Sequence, residues 1–328
     1  MKIRKTKIVG TGSYIPDRVL TNADLEKMVD TSDEWICTRT GIKERRIADK
    51  NEAASDLAYK ASRMAIEAAK IEPKDLDMII VATITPDMIF PATACILQER
   101  LGMDKVASFD LEAACSGFLY GISIGSQFIA IQTYNTILVV AAETLSKIID
   151  WEDRNTCVIF ADGAGAAILR PSDDNSGIIS SYLGADGEGA DLVRVPAGGS
   201  RLPASFETVK NRQHYMKMRG NELFKRAVKI MVQAVDVSLE KGGLTYEDVD
   251  FFIPHQANIR IIKAVAKRIG LSMDRVYVNL DQCGNMSAAS CAVALDQAVR
   301  QHKIKKGDRV VLTSFGGGLT WASLVIEW

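Results

Sequence analysis

Cys115 lies in the segment Glu-Ala-Ala-Cys-Ser-Gly-Phe (residues 112–118), where an apolar strand pattern gives way to a helical one. The unpaired N–H groups and the dipole of a helix N-terminus favour an anion. The pattern therefore predicts that Cys115 is a nucleophile and that its pKa is lowered from the usual value of about 8.5. A structural core cysteine is the alternative, but the small flanking residues allow a substrate to approach closely.

His255 is the histidine best placed for chemistry. It follows a short apolar strand in the segment Ile-Pro-His-Gln-Ala-Asn (residues 253–258), and ligands bind at the C-terminal ends of strands in parallel sheets. His214 lies in a polar stretch and His302 at a basic helix end, and we expect both to be solvated. The competing interpretation of His255 is a structural loop histidine.

Two further segments are rich in small residues. Residues 283–290, Cys-Gly-Asn-Met-Ser-Ala-Ala-Ser, form another strand-to-helix turn. There Asn285 could donate a hydrogen bond to a carbonyl oxygen or cap the following helix, and the sequence favours neither. Residues 314–321, Ser-Phe-Gly-Gly-Gly-Leu-Thr-Trp, follow a buried strand pattern. Their glycines could present bare N–H groups to an oxyanion or simply form a tight turn.

Apolar strand patterns alternate with helical patterns along the whole chain, which predicts an α/β fold with largely buried sheets. Four landmarks also recur in the same order at a spacing of about 170 residues, such as Met78–Val81 with Phe251–Ile253. We therefore expect two similar halves, residues 1–171 and 172–328. Such a duplication would bring Cys115 near the loop Gly284–Ala288. Residues 184–220 lack periodicity and are expected to cross the surface over a site.

The composition excludes several classes of function. The net charge of −1 gives no global attraction to nucleic acid or to a membrane surface. No apolar run is long enough for a membrane span or a signal peptide. The six cysteines form no Cys-x-x-Cys pair, which predicts reduced thiols in the cytoplasm rather than disulfides or a zinc site. Two short Gly-x-Gly segments lack the context of a dinucleotide fingerprint.

Taken together, these segments are similar to those of β-ketoacyl-acyl-carrier-protein synthase III, the initiating condensing enzyme of type II fatty-acid synthesis in the thiolase superfamily. The resemblance includes Gly-Thr-Gly-Ser-Tyr-Ile-Pro (residues 10–16), Trp-Ile-Cys-Thr-Arg-Thr-Gly-Ile-Lys-Glu-Arg-Arg (residues 35–46) and Asp-Gly-Ala-Gly (residues 162–165). It implies a five-layered αβαβα fold, a homodimer and no metal or redox cofactor. It also implies acyl-CoA and malonyl-acyl-carrier protein as substrates.

The resemblance also implies roles for individual residues. Cys115 would take an acyl group from coenzyme A, and His255 and Asn285 would stabilise the enolate formed when malonyl-acyl-carrier protein loses CO₂. The N–H groups of Cys115 and Gly317 would form the oxyanion hole. Residues matching the coenzyme A and pantetheine contacts are Trp35, Arg39, Arg154, Gly220, Phe224, Ala257 and Asn258.

Two surface features follow from the same resemblance. Phe90 matches a residue that a partner subunit inserts into the acyl pocket, although an intrachain core position is the alternative. Arg260, Lys263 and Lys267 occupy one face of a predicted helix at i, i+3 and i+7. Such residues are usually only solvated, but next to a tunnel mouth they would suit the docking of an acidic carrier protein.

Some positions depart from the family pattern. Met286 replaces the usual threonine after the asparagine, Cys283 replaces a residue that is often His or Arg, and Ala161 replaces a glycine. Met286 is nearest the chemistry, so it bears most on the primer that the enzyme accepts. Two other functions remain open from sequence: a polyketide- or quinolone-type condensing enzyme, and a non-catalytic scaffold that binds carrier protein.

Overall fold

The computed structural model describes residues 3–328. The strands are β1 (Thr6–Tyr14), β2 (Val19–Thr21), β3 (Glu44–Arg46), β4 (Met78–Ala82), β5 (Ala107–Leu111), β6 (Ile137–Thr144), β7 (Asp162–Pro171), β8 (Gly177–Ala185), β9 (Val193–Arg194), β10 (Lys217–Met218), β11 (Phe251–Pro254), β12 (Arg309–Gly316) and β13 (Thr320–Glu327). The helices are α1 (Asn22–Leu25), α2 (Asp33–Thr40), α3 (Ala54–Ala68), α4 (Thr93–Arg100), α5 (Gly117–Ala130), α6 (Arg154–Cys157), α7 (Phe206–Lys210), α8 (Gly220–Gly242), α9 (Ile259–Arg268), α10 (Leu280–Cys283) and α11 (Ala289–Arg300).

Two large sheets repeat one topology. The first has the strand order β1-β7-β6-β4-β5, and the second has the order β8-β13-β12-β11. In each sheet the first two pairings are antiparallel and the next is parallel. A single parallel bridge between Phe252 and Val276 corresponds to the β4–β5 pairing. On this basis we propose that the chain consists of two halves, residues 1–171 and 172–328.

The sheets and helices form five layers, which confirms the αβαβα fold. Helices α3 and α4 cover the outer face of the first sheet, α5 and α11 lie between the sheets, and α8 and α9 cover the second. Side chains alternate along a strand. In β6, Ile137 and Val139 therefore join the central core, while Leu138 and Val140 pack in the outer cluster with α3.

The two central helices begin face to face. A Cβ atom on Gly117, the first residue of α5, would lie 3.5 Å from Cβ of Ala288, which immediately precedes α11. One residue of each preceding turn has a left-handed backbone, Ala114 with φ 44° and Ser287 with φ 46°. The predicted meeting of the Cys115 turn with the loop before α11 is thus present in the structure.

The alternation of strands and helices agrees with the α/β pattern of the sequence. At the edge of the second sheet, residues 275–279 make only the bridge at Val276 and lead into α10. Residues 184–220 form short elements that pack against the glycine-rich loop, with Asp186 and Leu319 exchanging two backbone hydrogen bonds of 2.9 and 2.8 Å. Within residues 3–328, no helix is long and apolar enough to cross a membrane.

Close packing between a strand and a central helix gives the first testable prediction. A Cβ on Gly165 would lie 2.4 Å from Cβ of Ala292 and 2.7 Å from its carbonyl carbon. Gly165→Ala would force α11 away from β7, so we expect it to lower the free energy of unfolding by about 2 kcal/mol, as overpacking does. Chemical denaturation measures this change. Gly187→Ala, with no atom within 4 Å of the added Cβ, is the control, and equal stability of both variants would contradict the packing.

Candidate active site

Cys115 sits in a tight turn between β5 and α5. The short 3-10 segment Ala114–Ser116 leads directly into α5 at Gly117. The end of β12 packs against this turn so closely that a Cβ on Gly316 would lie 2.6 Å from the Cys115 nitrogen. The hydroxyl of Ser314 also donates a 2.7 Å hydrogen bond to the Cys115 carbonyl oxygen. Together, these contacts fix the backbone of the cysteine.

Two backbone N–H groups approach the Cys115 sulfur. They belong to Cys115 itself and to Gly317, and each lowers the pKa of the thiol. Donors this close to the sulfur are also within reach of the carbonyl oxygen of an acyl group bonded to it. The arrangement therefore has the form of an oxyanion hole.

The expected lowering of the Cys115 pKa is wrong. Burial raises the pKa of the thiol to about 12, and the hydroxyl of Ser287 and the two N–H groups only partly offset it. The carboxyl group of Glu143 raises the pKa further. The sequence indicated the helix N-terminus, but the desolvation comes from the surrounding tertiary structure and outweighs it. The Cys115 side chain is therefore a neutral thiol at neutral pH.

His255 follows β11 and, like Cys115, is held by a hydrogen bond to β12. Its N–H donates a 2.8 Å hydrogen bond to the carbonyl oxygen of Thr313 in β12, one residue before the Ser314 that binds the cysteine. The imidazole is buried, and burial lowers its pKa to about 4. Within residues 3–328 neither ring nitrogen has a hydrogen-bond partner. A neutral imidazole with a free N–H is suited to donate a hydrogen bond to a substrate oxygen.

Asn285 is held rigidly by its own backbone. Its N–H donates to the Ile159 carbonyl oxygen (3.0 Å), and its carbonyl accepts from the N–H of Ala161 (2.9 Å). The side-chain oxygen accepts the N–H of Ser287 at 2.9 Å, so the amide does cap the turn before α11. Within the described residues, the side-chain amide nitrogen of Asn285 donates no hydrogen bond. The carbonyl of Asn285 therefore caps the turn, which is one of the two roles that the sequence left open, and its NH₂ stays available for the other.

The three predicted catalytic residues belong to one constellation. Cys115 and His255 are bound to adjacent residues of β12. Asn285 is two residues from Ser287, whose hydroxyl is close enough to lower the pKa of the Cys115 thiol. The backbones of all three residues are thus positioned by the ends of β5, β11 and β12 and by the turn before α11.

Two neighbours of Cys115 escaped the sequence analysis. Glu143, near the end of β6, is completely buried, and burial raises its pKa to about 7. Ser287 is also buried, and its hydroxyl lowers the pKa of both Glu143 and Cys115. A signal for Glu143 was available: it is the one charged residue in the apolar run Ile137–Thr144.

The residues that match the nucleotide contacts of coenzyme A form one aromatic–cationic cluster. The guanidinium carbon atoms of Arg39 and Arg154 lie 4.9 and 4.7 Å from the Trp35 ring centroid. Arg154 also donates a 2.7 Å hydrogen bond to the carbonyl oxygen of Asp30. A separation of 4.7 Å leaves no room for an adenine ring, so Arg154 must move before a base can stack between it and the indole.

The residues that match the pantetheine tunnel adjoin this cluster. The Asn258 amide donates a 2.9 Å hydrogen bond to the carbonyl oxygen of Arg39, and its oxygen accepts the N–H of Arg260. The guanidinium carbon of Arg260 in turn lies 5.0 Å from the ring centroid of Phe224, near the start of α8. Gly220 begins α8, and Ala257 is the partly buried residue before Asn258.

The predicted docking residues and Phe90 are on the surface. Arg260, Lys263 and Lys267 are exposed on α9, which begins beside the tunnel residue Asn258. Phe90 is 81% exposed in the loop after β4, next to the 86% exposed Ile89, so it is not part of the core of its own chain.

Comparison with known proteins identifies the family. A family model for 3-oxoacyl-[acyl-carrier-protein (ACP)] synthase III matches residues 109–187, and a model of its C-terminal region matches residues 239–328. The β-ketoacyl-[acyl-carrier-protein] synthase III of Caldanaerobacter subterraneus subsp. tengcongensis is 60% identical over 98% of this chain and 97% of its own length. The chain belongs to this family. It is accordingly an acyltransferase, the initiating condensing enzyme of fatty-acid synthesis.

Solved structures agree with this assignment. The β-ketoacyl-[acyl carrier protein] synthase III of Thermus thermophilus superposes with a TM-score of 0.92 at 46% identity, covering 98% of this chain and 99% of that chain. The priming β-ketosynthase of the R1128 polyketide pathway has a TM-score of 0.91 at 35% identity, covering 99% and 96%. The fold is thus the thiolase fold, as the sequence predicted.

The protonation of His255 is directly measurable. Because burial lowers its pKa from 6.5 to about 4, the folded state binds this proton less readily than the unfolded state. Acidification from pH 6.5 toward pH 4 should therefore destabilise the fold. In an NMR titration, the imidazole resonance absent from His255→Ala should have its midpoint near pH 4. A midpoint between about 6 and 7 would contradict a buried neutral imidazole.

Proposed function

We propose that Cys115 carries the acyl group and that condensation takes place on it in two stages. The first stage transfers the acyl group from coenzyme A to the Cys115 sulfur, and the second joins it to malonyl-acyl-carrier protein with loss of CO₂. The observation that carries this proposal is the approach of the Cys115 and Gly317 N–H groups to one sulfur atom. A covalent intermediate divides the reaction into two easier steps.

In the first stage, the two N–H groups stabilise the oxyanion that forms when the thiol attacks the thioester. Both belong to backbone that is fixed by packing, since Gly316 lies directly against Cys115. Preorganised donors need no rearrangement during the reaction, and one such donor typically lowers the activation barrier by about 3 kcal/mol. The acylated cysteine then retains the same two hydrogen bonds.

In the second stage, His255 and Asn285 bind the thioester oxygen of the malonyl group. Decarboxylation places negative charge on this oxygen, and the two neutral N–H donors stabilise it as it develops. A neutral imidazole is supported by the burial of His255. The resulting enolate carbon attacks the Cys115 thioester, giving 3-oxoacyl-acyl-carrier protein and free enzyme.

The substrates would enter past the aromatic–cationic cluster. Trp35 and Arg154 would hold the adenine by stacking, and Arg39 would contact the phosphates. The pantetheine arm would pass Gly220, Phe224, Ala257 and Asn258. The stacking of Arg260 on Phe224 supports a continuous path from this surface into the site. No metal or redox cofactor has a role in this chemistry.

Two macromolecular contacts complete the proposal. The exposed side chains of Arg260, Lys263 and Lys267 would dock the acidic acyl-carrier protein beside the tunnel. The enzyme would act as a cytoplasmic homodimer, with Phe90 of each subunit entering the acyl pocket of the other. The exposure of Phe90 supports this contact, because exposed large apolar side chains often mark interfaces.

The nucleophile is tested by labelling with radioactive acetyl-CoA. Cys115→Ser should abolish incorporation, since a serine hydroxyl is a far weaker nucleophile than a thiol at neutral pH. Cys291→Ser, at another buried cysteine of the central core, is the control and should retain the label. Undiminished labelling of Cys115→Ser would refute the assignment.

A substitution of Asn285 tests whether this residue acts only in the second stage. Asn285→Ala removes a donor to the malonyl oxygen but none to the acyl carbonyl, so acylation should remain while decarboxylation falls about 100-fold or more. Rapid-quench acylation and release of ¹⁴CO₂ from labelled malonyl-acyl-carrier protein measure the two stages separately. An equal loss of both would show that Asn285 only maintains the turn before α11.

A further inference from the structure

Glu143 is a buried carboxyl group for which the two-stage mechanism has no role. It lies near the end of β6 with no exposed surface. The hydroxyl of Thr85 donates to it at 2.7 Å and the N–H of Ile84 at 3.2 Å. Burying an ionisable group is costly, even with such partners. A buried carboxyl group close to the proposed nucleophile is therefore a candidate for a chemical role.

Ser287 lies between this carboxyl group and the nucleophile. Its hydroxyl is close enough to lower the pKa of both the Cys115 thiol and the Glu143 carboxyl. It is nonetheless buried, and within the described residues its hydroxyl forms no hydrogen bond. The left-handed backbone of Ser287, φ 46°, orients it at the point where the two central helices begin. A hydroxyl poised between two titratable groups and committed to neither can both accept and donate a proton.

Within the described residues, no charged side chain forms an ion pair or a hydrogen bond with Glu143. The groups that face it are the hydroxyls of Thr83, Thr85 and Ser287 and the N–H groups of Ile84 and Ala288. Cys115 is the titratable neighbour, and its pKa is raised by the carboxyl. The alternative acceptor for the thiol proton, His255, has a pKa of about 4 and holds an added proton poorly.

We propose that Glu143 is the base that receives the Cys115 proton during acylation, with the Ser287 hydroxyl relaying it. This inference rests on the proposed role of Cys115 as nucleophile. As the sulfur attacks the acyl-CoA carbonyl carbon, its proton passes to the Ser287 oxygen and the Ser287 proton passes to a Glu143 oxygen. The carbon–sulfur bond to coenzyme A then breaks, and the departing thiolate takes a proton from water.

The second stage restores the base. When the enolate carbon bonds to the acyl carbon, the Cys115 sulfur leaves as a thiolate. It recovers its proton from Glu143 through Ser287, which returns the carboxylate and the thiol to their resting states. One proton is thus consumed per turnover, the one that coenzyme A takes from water. A base with a pKa of about 7 suits an exchange that must run in both directions near neutral pH.

The test is the pH dependence of single-turnover acylation by radioactive acetyl-CoA, followed by rapid quench. In the unaltered enzyme, the rate should rise with pH through about 7 as Glu143 ionises, then level off. Glu143→Gln keeps the size of the side chain but cannot take a proton, and Ser287→Ala breaks the relay. Both variants should lose this inflection and acylate about 100-fold more slowly at pH 7.5. Glu143→Asp, which keeps the carboxyl group, should retain an inflection.

A matched control separates the relay from loss of a buried carboxyl group. Asp296 in α11 is equally buried, but it binds Thr11, Ser13 and Arg300 instead of the active site. Asp296→Asn should lower thermal stability while keeping the inflection near pH 7. By contrast, Glu143→Gln should melt no lower than the unaltered enzyme at pH 8, because it removes a charge that burial disfavours.

Two outcomes would overturn the relay. One is an unchanged rate and inflection in Glu143→Gln, and the other is a rate lowered equally at every pH with the inflection intact. In either case Cys115 would still be labelled, so the failure would be distinct from that of the nucleophile assignment. Labelling that persists in Cys115→Ser would instead remove the premise.

Discussion

The site depends on the contact between the backbone of Gly316 and that of Cys115. Only a residue without a Cβ atom can approach the cysteine nitrogen so closely, because an added Cβ would lie 2.6 Å from it. This approach brings the N–H of Gly317 to the sulfur. It also lets one strand, β12, hold Cys115 through Ser314 and His255 through Thr313. Removing the contact would move the Gly317 N–H away from the Cys115 sulfur and Cys115 away from His255.

Burial determines the electrostatics of this site more than the helix dipole does. It raises the pKa of Cys115 to about 12 and lowers that of His255 to about 4, so both groups rest in their neutral forms. In the proposed mechanism, charge develops only during the reaction, and fixed N–H donors stabilise it most strongly where water is excluded. Burial also leaves Glu143, with a pKa of about 7, as the nearby group best matched to a neutral-pH proton exchange.

The fold could be predicted from the sequence because strand patterns such as that of β6 are local. The recurrence of such patterns in the same order also revealed the two similar halves. Cys115 and His255 could be predicted because each follows an apolar strand pattern, and Asn285 because it lies in a turn of small residues. Ser287 and the raised Cys115 pKa could not, since both depend on which distant surfaces meet. In the sequence, Glu143 is recognisable only as the one charged residue of an apolar strand. Its proximity to Cys115 arises because the central helices pack on the sheet that contains β6.

The most direct measurement is a crystal structure of the acetylated enzyme with a non-decarboxylating malonyl-thioester analogue. The account predicts the acetyl group on Cys115, with its carbonyl oxygen about 3 Å from the N–H groups of Cys115 and Gly317. The thioester oxygen of the analogue should accept hydrogen bonds from His255 and Asn285. An acetyl group on another residue, or a carbonyl oxygen turned away from both N–H groups, would contradict the account.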